Sequence, residues 1–234
     1  IDDKCAVSTK AFRMGGSRMF LEREDKVTID DLLRGIIIQS GNDASVAIAE
    51  CLSGTEEDFA LLMNSYAESL GLNNTNFVNA SGWPNDNHYS TVKDIMFMSE
   101  ALIRNFPDFY GYFIEREFTY NNIRQLNRNV LLRRVDGSDG LKTGFTRNSG
   151  WGIAASAIRE DRRIIVVING TNSSRTRALE SETLINWAFR ETTQKIILEK
   201  NQIIKEVDTW LGSKPSVNLI VGNDVITTLS FDQL

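Results

Sequence analysis

The chain has one histidine and two cysteines in 234 residues. Three such ligands cannot assemble a typical zinc site, and no metal or other cofactor is expected. Cys5 and Cys51 are also too few for a disulfide framework. They read as two unpaired, partly buried thiols, because a buried cysteine behaves as a small hydrophobe. Basic charge is in deficit, with 26 Lys and Arg against 31 Asp and Glu. A net charge of −5 and scattered basic residues leave no nucleic-acid footprint. No apolar run approaches the roughly 20 residues of a membrane-spanning helix. No Gly-x-Ser-x-Gly elbow is present, so a Ser-His-Asp hydrolase has no support. Internal repeats and low-complexity segments are missing too. Ile1 follows no initiator Met, basic n-region or apolar h-region, and the last residues stop after an apolar strand pattern. The chain is therefore expected to be a fragment.

What is present suits a globular protein. The hydrophobic fraction is 41% and the charged fraction 24%. The length allows one large domain or one domain with a small appendage. The first half reads as helical. Apolar residues at 29, 32, 33, 36 and 37 follow a 3.6-residue period, with Asp30 and Asp31 in the first turn. Gly41 interrupts this pattern, and a second helix is expected over 44–52. Thr55 and Asp58 resemble a capping box ahead of a third helix that ends near Gly71. Residues 73–89 read as loop, with His88 on its surface. Ser90 is expected to cap a helix running to about Asn105. The aromatics at 109, 110, 112 and 113 read as core. The second half turns to strands, with a hairpin around Arg159-Glu160-Asp161 and Lys142 on a neighbouring strand. Residues 175–190 form an amphipathic helix. Short strands and turns follow from about 192, where a domain boundary is expected.

Two tripeptides carry chemistry. Lys142-Thr143-Gly144 precedes the hairpin, where a strand edge can pair with an extended peptide. Gly144 leaves room for close approach, and Thr143 and Lys142 offer a hydroxyl and a cation to a carboxylate. Ser40-Gly41-Asn42 lies in the break between two apolar helices. Read alone, Ser40 is a cap or turn residue, and Asn42 or Asp43 is the N-cap of the next helix. Read with Lys142, Ser40 faces an ammonium and can pass a proton, while the Asn42 amide holds a substrate carbonyl. Arg175, Arg177, Arg124 and Arg128 are either solvated surface or carboxylate-binding groups in the same cleft.

Longer blocks surround these motifs: residues 34–44 (RGIIIQSGNDA), 62–66 (LMNSY) with 70–72 (LGL), 123–129 (IRQLNRN) and 139–144 (DGLKTG). With them the chain resembles the serine D-alanyl-D-alanine carboxypeptidases, the low-molecular-mass penicillin-binding proteins, from about residue 15 to 189. The resemblance implies an α/β (α+β) fold of the β-lactamase and penicillin-binding-protein type. That fold has an antiparallel sheet with flanking helices and a helical lobe. Residues 1–191 would form this domain, truncated at its N-terminus, and 192–234 the beginning of a small β-rich domain. The implied reaction removes the terminal D-alanine of a peptidoglycan stem peptide through an acyl-enzyme that penicillins also form. In it Ser40 relays protons, Asn42 and Lys142 organise the site, and Thr143 takes the terminal carboxylate. The N–H of Phe145, beside Gly144, is one oxyanion donor, and Arg177 and Arg128 serve carboxylate recognition and the cleft.

The implied location is periplasmic or extracytoplasmic, with membrane attachment only through an anchor outside this chain. Gly15-Gly16-Ser17 matches a cleft loop in place but not in letters, and Phe145 replaces a residue that is often polar. The family's nucleophile, in Ser-x-x-Lys, is not found between Ile1 and Gln39. Ser8-Thr9-Lys10 is one residue short of the i+3 spacing that would set lysine beside serine. The chain alone is therefore expected to be inactive. A nucleophile-less relative that holds peptidoglycan without cutting it is the alternative. A β-lactamase fits less well, since Ser-Gly-Asn stands where Ser-Asp-Asn would be.

Overall fold

The structure is a computed structural model that describes residues 1–233. It divides into two compact units, Ile1–Ile185 and the residues from Asn186 onward. In the first, β1 (Lys4–Ala6) leads into a short helix, α1 (Thr9–Arg13), and pairs antiparallel with β2 (Lys26–Thr28). Helix α2 (Ile29–Gln39) starts where the sequence places it: the Thr28 hydroxyl accepts from the Asp31 N–H, and Asp30 and Asp31 face the positive end of the helix dipole. It ends at Ser40, whose backbone is left-handed at φ 60°. Helix α3 (Asn42–Ser53) begins immediately, with Gly41 and not Asn42 or Asp43 at its N-cap. Helix α4 (Glu56–Ser69) is capped by Thr55 and Asp58 as the spacing predicts.

After the loop, α5 (Val92–Asn105) is capped by Thr91, not Ser90. The Ser90 hydroxyl lies 2.8 Å from that of Thr75 instead, inside the loop. A 3-10 segment, Pro107–Ile114, carries the aromatic cluster. Only Tyr110 is buried there; Phe109 is exposed, and Tyr112 donates to Asp30. The uniform core reading of these four fails because a 3-10 turn repeats every three residues, so Tyr110 and Phe113 share the core-facing side while Phe109 and Tyr112 share another.

The hairpin of β3 (Glu117–Tyr120) and β4 (Ile123–Leu126) precedes the main sheet. That sheet is β5 (Ser138–Thr146), β6 (Gly150–Arg159) and β7 (Arg162–Thr171), antiparallel in the order β5-β6-β7. Strand β5 is an edge, and α6 (Ser174–Glu191) follows β7. One core cluster joins Cys5, Met19, Leu21, Leu32, Val46 and Ile48 beneath the helices. A second joins Tyr110, Leu141 and Ala154, with Ile95, Leu102 and Val167 packed on it. In the unit from Asn186 onward, β8 (Thr192–Leu198) pairs with β11 (Val225–Ser230), and β9 (Ile203–Asp208) with β10 (Ser216–Ile220).

The cysteines correct the expectation of free thiols. Cys5 of β1 and Cys51 of α3 are bridged, with their Cα atoms 5.4 Å apart. A separation of 46 residues says nothing about pairing until β1 is laid along α3. Among the described residues no helix is long and apolar enough to cross a membrane.

Candidate active site

The link between α2 and α3 and the edge strand β5 meet at one point. Lys142 Nζ donates to Ser40 Oγ at 2.8 Å and to the Thr143 carbonyl at 2.9 Å. Ser40 gains its direction from its position. As the left-handed terminus of α2 it leaves the helix axis, and its N–H still bonds to Gly35 and Ile36 carbonyls. Lys142 is half-buried, and among the described residues it makes no ion pair. Burial, with Arg128 and Arg177 nearby, pulls its pKa down to about 7. Near neutrality it is therefore divided between a proton-donating ammonium and an amine with a free lone pair, which suits a relay to a hydroxyl.

Asn42 is held from the opposite side. Its side-chain N–H₂ donates to the Gly15 carbonyl at 2.9 Å, and its backbone N–H to the Ser17 carbonyl at 2.8 Å. Gly16 makes this approach possible: at φ +72° its missing Cβ would lie 2.8 Å from Asn42 Nδ2. Ser17 Oγ accepts from Arg128 at 2.6 Å, so the Gly15-Gly16-Ser17 loop, Asn42 and Arg128 form one wall. Thr143 is buried in β5, opposite Ile153 of β6. Nothing lies within 4 Å of where a Gly144 side chain would start, so the sheet face is open there, and β5 is an edge strand. Phe145 is half-exposed and packs on Trp151, ring centroids 4.2 Å apart. Arg177 is not solvated surface. It is buried, its guanidinium stands over the Trp151 ring, and its Nε has no partner. Ser40 and Lys142 touch, Asn42 and Arg128 share the loop wall, and Arg177 stands with Phe145 around Trp151. Arg124 instead pairs with Glu117 on the β3–β4 hairpin.

Two residues that the sequence reading misplaced belong here. Asp43 is fully buried, and its carboxylate accepts from the N–H groups of Met19, Phe20, Leu21 and Ala44 at 2.8–3.2 Å. It is not a helix cap but the anchor of the loop that bonds Asn42. Replacing Asp43 with Ala strands four backbone donors and should lower stability by at least about 3 kcal/mol. Urea unfolding of the chain checks this, and an unchanged midpoint would deny the anchor. His88 is the other. Rather than lying on the surface, it is half-buried and lines a cavity of about 250 Å³ with Ser40, Lys142, Ser45 and Asn79. The letters Ser-x-x-Lys do occur at Ser90–Lys93. That serine precedes α5 and bonds within its loop, and the lysine lies over Phe97.

The comparisons agree with this geometry. Penicillin-binding protein 5 from Haemophilus influenzae superposes with a TM-score of 0.90 at 36% identity, covering 98% of this chain and 68% of that one. Penicillin-binding protein D2 from Listeria monocytogenes, in its ampicillin-bound form, gives 0.72 at 29% identity, covering 80% and 77%. The class is thus the penicillin-binding-protein fold, an antiparallel sheet flanked by helices. The D-alanyl-D-alanine carboxypeptidase family profile matches residues 1–173. D-alanyl-D-alanine carboxypeptidase DacC of Escherichia coli K12 is 42% identical over 235 residues, covering 99% of this chain and 58% of that protein. The chain belongs to the D-alanyl-D-alanine carboxypeptidase family. It spans a little under three fifths of the length of the curated relatives it matches most fully.

Proposed function

We propose that this chain is the penicillin-binding domain of a serine-type carboxypeptidase. The enzyme removes the terminal D-alanine from peptidoglycan stem peptides at the periplasmic or extracytoplasmic face of the bacterial membrane. The observation that carries the reading is the 2.8 Å contact between Lys142 and Ser40, placed on the edge strand β5 with an open face at Gly144. A stem peptide extends along β5, and the absence of a side chain at Gly144 lets its backbone pair there. Its terminal carboxylate meets Thr143, Lys142 and the buried charge of Arg177. That carboxylate favours the ammonium form of Lys142, so binding near pH 7–8 takes up a proton. The Asn42 amide fixes the acyl carbonyl from the loop side, with Arg128 behind it. The Phe145 N–H serves the oxyanion, and its ring with Trp151 offers an apolar rim to the leaving residue.

None of the cavity serines, Ser40, Ser45 or Ser81, begins a Ser-x-x-Lys. The attacking serine and its lysine are therefore assigned to a segment other than these, and residues 1–191 to the domain that receives it. β-Lactams acylate that same serine, a reading supported by the ampicillin-bound relative. The test is D-alanine release from a diacyl-Lys-D-Ala-D-Ala peptide by the full-length protein, with the 234-residue chain as control. Turnover is expected from the former and none from the latter. Full-length protein that binds the peptide without releasing D-alanine would instead be the non-cutting relative. Preferential hydrolysis of a cephalosporin would make it a β-lactamase.

A further inference from the structure

His88 is the only histidine in the chain, and its surroundings fix what it can do. Its Nδ1 accepts from the Val78 N–H at 3.3 Å, so the hydrogen of the neutral ring sits on Nε2. Its backbone N–H bonds to the Asn85 carbonyl, and its ring packs edge-on against Phe77, centroids 5.6 Å apart. These contacts pin one edge of the ring to the 73–89 loop. The other edge, with Nε2–H, belongs to a side chain that lines the cavity holding Ser40 and Lys142. That cavity is lined by apolar Ile36, Met63 and Phe77 and by polar Ser45, Asn79 and Ser81. At about 250 Å³ it has room for several waters, each needing two to four polar partners.

We infer that His88 is a positioning residue whose Nε2–H holds a water beside the Ser40–Lys142 pair, and that this water hydrolyses the acyl-enzyme. The inference rests on the carboxypeptidase reading. In that step the water oxygen bonds the acyl carbon, and the ester bond to the attacking serine breaks. One water proton passes through the Ser40–Lys142 pair to the departing serine oxygen; the other leaves as the product carboxyl ionises. His88 neither gains nor loses a proton. It accepts from Val78 and donates to the water throughout.

Two substitutions separate this role from a purely structural one. In His88→Asn the side-chain oxygen can replace Nδ1 and hold Val78, but nothing reaches the cavity. In His88→Gln the amide N–H can reach the Nε2 position. With full-length protein and a chromogenic cephalosporin, acylation by His88→Asn is expected within about twofold of wild type. Decay of its acyl-enzyme should slow about tenfold or more, with kcat and KM for the peptide falling together. His88→Gln should restore decay. Wild-type decay in His88→Asn, or equal loss of acylation and decay in both variants, overturns the inference while leaving the carboxypeptidase reading intact. A wild-type protein that forms no acyl-enzyme removes both. The unmodified 234-residue chain supplies a second arm, since nitrogen NMR of its single imidazole reports the tautomer directly. Hydrogen on Nε2 at pH 7 is expected, and hydrogen on Nδ1 overturns the assignment.

Discussion

Lys142→Met should stop the enzyme and steady the fold. In the full-length protein, peptide hydrolysis and penicillin acylation should both fall by about 10²–10³-fold or more, because the charge and relay that Lys142 offers to Ser40 and the substrate are gone. Stability should move the other way. The half-buried cation has its pKa depressed to about 7 from 10.5, so between these values the folded chain binds fewer protons than the unfolded one. Stability therefore rises as pH climbs from 7 toward 10.5, and the cost of desolvating the charge is fully present below 7. Methionine fills a similar volume with no charge. At pH 6–7 the variant should be more stable by about 1–2 kcal/mol, after the two lost hydrogen bonds are subtracted. By pH 9–10 the gain should shrink. Denaturant titrations of the 234-residue chain at the two pH values check this. A variant less stable than wild type at both would mean that Lys142 is a structural cation. Wild-type turnover in the full-length variant would remove it from the chemistry.

Breaking the Cys5–Cys51 bridge should have the second large effect. It ties β1, at the start of the chain, to the C-terminal part of α3, and Cys5 sits in the core cluster with Val46 and Ile48. Closing a loop of this length restricts the unfolded chain, worth about 2–4 kcal/mol. Reduction, or the double change Cys5→Ala with Cys51→Ala, should lower the melting temperature by roughly 5–15 °C. The two treatments should agree, and reductant should do nothing further to the double variant. An unchanged melting temperature under reductant, with free thiols titrated, would show that the bridge contributes nothing. The bridge also suits an oxidising compartment, which agrees with action outside the cytoplasm.

Much of this was legible in the chain because it is local. The apolar period with Asp30 and Asp31 announces α2, Thr55 with Asp58 announces α4, and the turn at Glu160-Asp161 separates β6 from β7. The tripeptides at 40–42 and 142–144 point to one site, and the structure brings Ser40 and Lys142 into contact. What escaped is what only three-dimensional neighbours decide. Asp43 has the letter of a helix cap, yet its carboxylate reaches four N–H groups, three of them more than twenty residues away. His88 sits in a polar stretch that reads as surface, but the loop folds inward over α2 and α4 residues and carries the ring into the cavity. Arg177 shows no sign in the sequence that Trp151 will cover it. Ser90 loses the cap to Thr91 through a one-residue choice that competing hydrogen bonds settle.

The Ser40–Lys142 pair spans 102 residues of chain. Such a contact exists only when the end of α2 and the edge of the sheet are both in place. A nascent or half-assembled chain thus lacks the relay altogether. On the carboxypeptidase reading proposed above, the capacity to cut a stem peptide and the capacity to be acylated by a β-lactam therefore appear together, and only once the fold is complete.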